Sequence, residues 1–187
     1  MDDLCVHSEM RAKHFDHLRK VFDKCRLYKI CLNPEKCTFM VRQGKILGHI
    51  ISKNGISTDL DKIKVIVKLP PPRNAKESFT GHYGYYRRFI YMYAIIAKPL
   101  YSLITEFNWT EECEISFKKL KEALTNAPIL KSPDWTKVFH VHVDASNFAI
   151  GCILVQPGDG KLDFPICYAS GQLNSAERIT QPQKGRD

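Results

Sequence analysis

No stretch of this sequence holds enough consecutive apolar residues to cross a bilayer. Acidic residues follow Met1 at once, which argues against a secretory leader. Acid is also scarce relative to base: 20 Asp and Glu stand against 28 Lys and Arg, leaving +8 at pH 7. That excess suits a polyanionic partner such as nucleic acid; it equally suits a soluble basic protein with no such partner. No pair of the seven cysteines (Cys5, Cys25, Cys31, Cys37, Cys113, Cys152, Cys167) is spaced C-x-x-C, and their number is odd. They read as buried reduced thiols of an intracellular protein, in cytoplasm or nucleus rather than secreted. A zinc site from His14, His17 and neighbouring cysteines is the alternative. Disorder is excluded by 44% hydrophobic and 26% charged residues, and 187 residues are enough for one large or two small domains.

Along the chain, Leu18, Val21, Phe22 and Cys25 recur at helical spacing among basic residues. Short strands are expected over 28–32 and 37–41, broken at Asn33-Pro34, and another over 46–52 after the Gln43-Gly44 turn. Asn54-Gly55 marks a further turn. Together these predict a small antiparallel layer packed on the first helix. Asp59 can cap a helix carrying Ile63, Ile66 and Val67, which Pro70-Pro71-Pro72 must end. In 81–90 aromatic residues are interleaved with cationic ones. Such a stretch either grips a phosphate backbone or is a helix with core aromatics and surface arginines, and spacing does not separate the two. Thr110 can cap a second amphipathic helix with Cys113, Phe117, Leu120 and Leu124 on its apolar stripe, ended by Pro128.

Val138 to Gln156 has the alternation of two strands joined at Ala145-Ser146-Asn147, with Asp144 at the end of the first. A carboxylate there either caps the turn or holds a metal. Gly158-Asp159-Gly160 marks a hairpin turn and 164–169 a third strand, so three antiparallel strands form one edge of a mixed sheet. The tail from Gln181 is polar.

These residues resemble a known family. Met1-Asp2-Asp3-Leu4 looks like the end of the Tyr-x-Asp-Asp motif of reverse transcriptases. Leu32-Asn33-Pro34-Glu35-Lys36-Cys37, Leu47-Gly48-His49-Ile50-Ile51-Ser52, Pro70-Pro71-Pro72, Tyr85-Tyr86-Arg87-Arg88-Phe89-Ile90, Ala127-Pro128-Ile129-Leu130 and Asp144-Ala145-Ser146 follow in the order seen in gypsy-type LTR retrotransposon Pol polyproteins. The resemblance implies an α+β fold in three parts: the end of a polymerase palm (1–57), thumb and connection helices (58–134), and a truncated ribonuclease H-like mixed sheet (135–187). It implies that Leu47, Gly48 and His49 grip a primer end and that Tyr86, Arg87 and Arg88 also meet nucleic acid. It further implies Asp2 and Asp3 as polymerase metal ligands, and Asp144 as the first ribonuclease H-like one.

Nucleotide addition and hybrid hydrolysis in this family resemble two-metal phosphoryl chemistry, in which several carboxylates hold paired Mg²⁺ ions. Here Asp2 and Asp3 lack the earlier palm Asp, and 179–187 carries no Glu where the next ribonuclease H ligand is expected; Glu177 belongs to the preceding segment. The helix around 77–81 is about two residues shorter than the family pattern. The expectation is therefore a polyprotein fragment whose parent is an RNA-directed DNA polymerase and RNA–DNA hybrid ribonuclease using Mg²⁺, and which alone does neither. Its partners would be an RNA–DNA hybrid or primer–template and the remaining parts of the polyprotein, with no membrane. The alternatives are a non-catalytic hybrid-binding module and the product of a decayed element.

Overall fold

Helix α1 (Arg11–Leu27) forms where the helical spacing predicts, but it buries only Cys25 fully, with Leu18, Val21 and Phe22 half-buried. The computed structural model describes residues 4–8, 10–74, 80–158 and 162–179. Expectations for Asp2, Asp3, residues 77–79, the Asp159-Gly160 turn and the tail from Thr180 lie outside those residues.

The strands expected over 28–32 and 37–41 do not form. Among the described residues no strand pairs with them, and an unpaired strand leaves its amides and carbonyls without partners. Instead, Asn33 Oδ1 accepts from the Glu35 amide at 3.0 Å and sets a 3-10 turn over Pro34–Lys36. Tyr28, Ile30, Phe39 and Val41 are left exposed.

The antiparallel layer is β1 (Gln43–Ile46), β2 (His49–Ser52) and β3 (Gly55–Thr58), in that order. It does not pack extensively on α1, as the sequence reading expects; Ile56 joins it to the helical core instead. Lys45 ties β1 to the start of the next helix, reaching Asp59 at 3.1 Å and Asp61 at 2.7 Å.

Asp59 caps α2 (Leu60–Lys68) by accepting from the Asp61 amide at 3.1 Å, as expected of an N-cap Asp. The carbonyl of Leu69, just past its end, accepts from Lys121 Nζ at 2.6 Å. Then come α3 (Thr80–Tyr85), a 3-10 turn over Arg87–Phe89, α4 (Tyr93–Ile96) and α5 (Lys98–Thr105). Met92, left-handed at φ 54°, separates the turn from α4. Thr110 Oγ1 caps α6 (Glu111–Thr125), accepting from the Cys113 amide at 3.4 Å, and three glutamates occupy its first turn.

These helices share one core: Ile63 and Ile66 from α2, Tyr83, Tyr86, Phe89 and Tyr93 from the middle, Leu100 and Leu103 from α5, and Phe117, Leu120 and Leu124 from α6. Each fully buried aliphatic or phenyl side chain contributes about 1.5–3 kcal/mol relative to exposure.

After α6 the chain stitches two sheets together. Leu130 is fully buried and pairs with Ile56 in both directions, amide to carbonyl at 2.7 and 2.9 Å. The next amide, Lys131, donates to Pro165 in the second sheet at 3.1 Å. That sheet is β4 (His140–Ala145), β5 (Ala149–Pro157) and β6 (Asp163–Gln172), antiparallel in that order. A register shift falls between Leu154 and Val155. It packs on α4, where Ser170 Oγ accepts from the Ala94 amide at 2.9 Å and Met92 fills the space a side chain at Gly151 would need. The fold is α+β, as expected.

Candidate nucleic-acid interface

Leu47 and Gly48 form the two-residue turn between β1 and β2. Both are left-handed, at φ 46° and 71°, the geometry that matches the twist of a tight hairpin. A Cβ on Gly48 would lie 2.9 Å from Lys62 Nζ and 3.3 Å from Tyr85 Cε1, so glycine allows the close approach as well as the backbone angle.

Both turn carbonyls are bound by tyrosines of the helical segment that follows α2. The Tyr86 hydroxyl donates to Gly48 O at 2.8 Å, and the Tyr85 hydroxyl donates to Leu47 O. His49 Nδ1 also lies 2.9 Å from Leu47 O, which requires the tautomer with the proton on Nδ1. The imidazole sits among three rings, with centroids at 5.1 Å (Tyr85), 5.7 Å (Tyr86) and 5.6 Å (Phe89). Its Nε2 is buried without a partner among the described residues. Burial pushes the His49 pKa below its ordinary value; the Arg88 and Lys62 charges act in the same direction, and the bond to Leu47 opposes them. The ring is therefore neutral at pH 7.

The structure brings Leu47, Gly48, His49 and Tyr86 into one cluster with Arg88 beside it. Tyr86 is only 2% exposed, and burial raises its hydroxyl pKa, so its ring belongs to the core. Arg87 lies near Tyr93, whose ionisation its charge favours, although burial dominates and raises that pKa. Leu47 projects its side chain from the tip, 66% exposed. Lys62 and Tyr85 were not among the expected site residues. Lys62 is one lysine among several on α2, and nothing in its spacing marks it. Tyr85 stands in the tyrosine–arginine motif, but spacing does not reveal where its hydroxyl goes.

Asp144 ends β4 with an exposed carboxylate, and its described contact is the Tyr91 hydroxyl, which donates to Oδ2 at 3.5 Å. On the same face His140 Nδ1 and His142 Nε2 approach Asp163 Oδ2 at 3.4 and 3.7 Å. Among the described residues no three His, Cys, Asp or Glu side chains are placed to hold a metal. These residues do not fit a two-metal centre. Glu177 is engaged in a reciprocal capping box at the start of α7 (Ser175–Ile179): its amide donates to Asn174 Oδ1 and its carboxylate accepts from the Asn174 amide, both at 2.8 Å. His14 and His17 share the Ser8 hydroxyl at 3.1 and 2.7 Å. All seven cysteines are free, but burial fails as a description of most: Cys25 and Cys113 are buried, Cys5 and Cys31 exposed and the rest half-buried. Cys5 and Cys31 lie on the sparsely packed amino-terminal segment, where the expected strands are missing.

No helix among the described residues is long and apolar enough to cross a membrane. Two family profiles match the chain: "Reverse transcriptase (RNA-dependent DNA polymerase)" over residues 1–51 and "RNase H-like domain found in reverse transcriptase" over 109–184. It is 37% identical over 193 residues to the Retrovirus-related Pol polyprotein from transposon opus of Drosophila melanogaster, covering 95% of this chain and 19% of that protein. It is 38% identical over 184 residues to its counterpart from transposon 297 of the same species, covering 95% and 17%. The Transposon Tf2-3 polyprotein of Schizosaccharomyces pombe is 29% identical, with 95% and 14% covered. The chain thus spans less than a fifth of the length of these relatives. The foamy viral protease-reverse transcriptase dRH in complex with double-stranded DNA superposes with a TM-score of 0.77 at 26% identity, covering 92% of this chain and 31% of that one. The complex of the foamy viral protease-reverse transcriptase with RNA/DNA hybrid gives 0.76 at 25% identity, covering 92% and 24%. With motifs, fold and relatives in agreement, the chain belongs to the reverse transcriptase and RNase H-like segment of the LTR-retrotransposon Pol polyproteins.

Proposed function

We propose that this segment comprises the end of a polymerase palm (1–57), thumb and connection (58–134) and the start of a ribonuclease H-like domain (135–187), and that its working surface holds an RNA–DNA hybrid or primer–template. One observation carries the reading. The Leu47–Gly48 turn is bound from behind by tyrosine hydroxyls, its apolar tip points outward, Lys62 approaches Gly48, and the Arg88 charge reaches the adjoining His49. That is a cationic edge with a shaped apolar point, suited to a phosphate backbone and a terminal sugar or base. The foamy viral relatives of similar fold are complexes with double-stranded DNA and with RNA/DNA hybrid, which supports the ligand class.

The whole polyprotein's activities would be RNA-directed DNA synthesis and hybrid hydrolysis with Mg²⁺, in cytoplasm or nucleus. This chain alone performs neither. The test is fluorescence anisotropy of the 187-residue chain with a labelled RNA–DNA hybrid across a salt series. Affinity should fall as salt rises, and Arg88→Gln should reduce the log–log slope by about 1, the loss of one phosphate contact. A salt-independent affinity, or a slope untouched by that variant, sinks the interface. Primer extension with Mg²⁺ should give no incorporation; incorporation abolished by Asp2→Asn and Asp3→Asn would overturn the inactive reading.

A further inference from the structure

Leu47 sits in a backbone region that a bulky side chain rarely adopts, at φ 46°. An exposed turn left to itself would have water on its carbonyls. Here the hydroxyls of Tyr85 and Tyr86, each 38 residues further along the chain, take that place. Tyr85 is itself 47% exposed, yet its hydroxyl meets the carbonyl. The Leu47 carbonyl receives two donors, the Tyr85 hydroxyl and His49 Nδ1–H, which fills both its lone pairs. Two partial negative charges are thereby engaged by donors on the thumb side, away from an approaching phosphate chain. Of the neighbouring fixed charges, Lys62 and Arg88 are positive, and Asp59, whose charge reaches Tyr86, is negative and paired with Lys45.

We infer that Tyr85 and Tyr86 form a hydroxyl clamp that positions the Leu47–Gly48 turn for nucleic acid, acting as positioning residues that hold the turn's carbonyls against the thumb and do not themselves touch the ligand. This deepens, and rests on, the interface proposed above. Tyr86 couples the turn to the buried core, and Tyr85 sets the tip. Losing either hydroxyl releases a carbonyl and lets the turn sample other orientations.

Tyr85→Phe and Tyr86→Phe in the full chain test the clamp, with hybrid anisotropy across salt, amide exchange over residues 46–50 and thermal melting. Tyr85→Phe removes one hydroxyl from a half-exposed ring, so the melting temperature should hold. Its affinity should drop about 5–10-fold at every salt concentration, the effect of one lost hydrogen bond, with the salt slope unchanged. Exchange over 46–50 should quicken about tenfold as the turn opens. Tyr86→Phe should do the same, read at a temperature where melting shows it folded. Salt-dependent wild-type binding with normal affinity and exchange in both variants overturns the clamp and leaves the interface standing. A loss of affinity in Tyr85→Phe with exchange over 46–50 unchanged makes its hydroxyl a direct ligand contact and also overturns the clamp. A wild-type chain that fails to bind the hybrid removes the interface reading and the clamp with it.

Discussion

Gly55→Ala should be among the most damaging single-methyl substitutions in this chain. Gly55 opens β3 at φ 126°, a region closed to side chains. A Cβ there would overlap the Leu130 carbonyl oxygen, lie 2.9 Å from its carbon and 3.0 Å from Lys131 Cα. All three are backbone atoms and none can swing aside as a side-chain tip would. Relief means moving residue 55 or parting Ile56 from Leu130, which loses the bonds at 2.7 and 2.9 Å. Backbone strain of about 1–3 kcal/mol and two hydrogen bonds at about 0.5–1.5 kcal/mol each sum to roughly 2–6 kcal/mol, against a typical total of about 5–15 kcal/mol. Urea unfolding followed by tryptophan fluorescence measures it, and Gly171→Ala is the control, since a Cβ there meets nothing within 4 Å. Because the same bridge anchors β3 to the core, hybrid affinity should fall with stability. If Gly55→Ala unfolds within about 0.5 kcal/mol of wild type, the range of an ordinary surface change, the stitch between the two sheets is not what holds them.

Two further outcomes are expected. Gln156 is fully buried, and its amide accepts from the Asp134 amide and donates to the Asp134 carbonyl, both at 2.8 Å; Gln156→Leu should lower the urea midpoint by an amount equivalent to about 1–3 kcal/mol, because the linker's peptide groups lose their partners. His49 has a folded-state pKa below its unfolded one, so the unfolded chain takes the proton first: its share of stability is complete above about pH 6.5 and declines as pH falls from there toward the folded pKa. Melting temperatures at pH 7.5 and 5.5 should therefore differ more in wild type than in His49→Asn, and an equal difference would refute the assignment.

Local chemistry was legible without the structure. Asp59 and Thr110 cap helices as their positions predict, because a short side-chain oxygen before an amphipathic run satisfies free amides at the helix start. The strands over 28–32 and 37–41 were misread for the complementary reason: apolar residues mark a willingness to pair, while pairing needs a second strand. The tyrosine–arginine motif left two readings open. The structure gives Tyr86 and Phe89 to the core, leaves both arginines exposed and brings the Arg88 charge to bear on His49. Asp144 lies at its expected strand end, yet its surroundings follow from which side chains return to that face.

By itself, the order of motifs determined the family and the α+β class, and the local sequence the starts of α2 and α6, since these rest on contacts within a few residues or on the linear spacing of side chains. Only the tertiary structure decided that Leu130 clasps Ile56, that Lys62 approaches Gly48, and that two tyrosine hydroxyls bind a turn 38 residues away. Those contacts join groups far apart in the chain. Nothing in their separation along it says which donor meets which acceptor until the core brings them together.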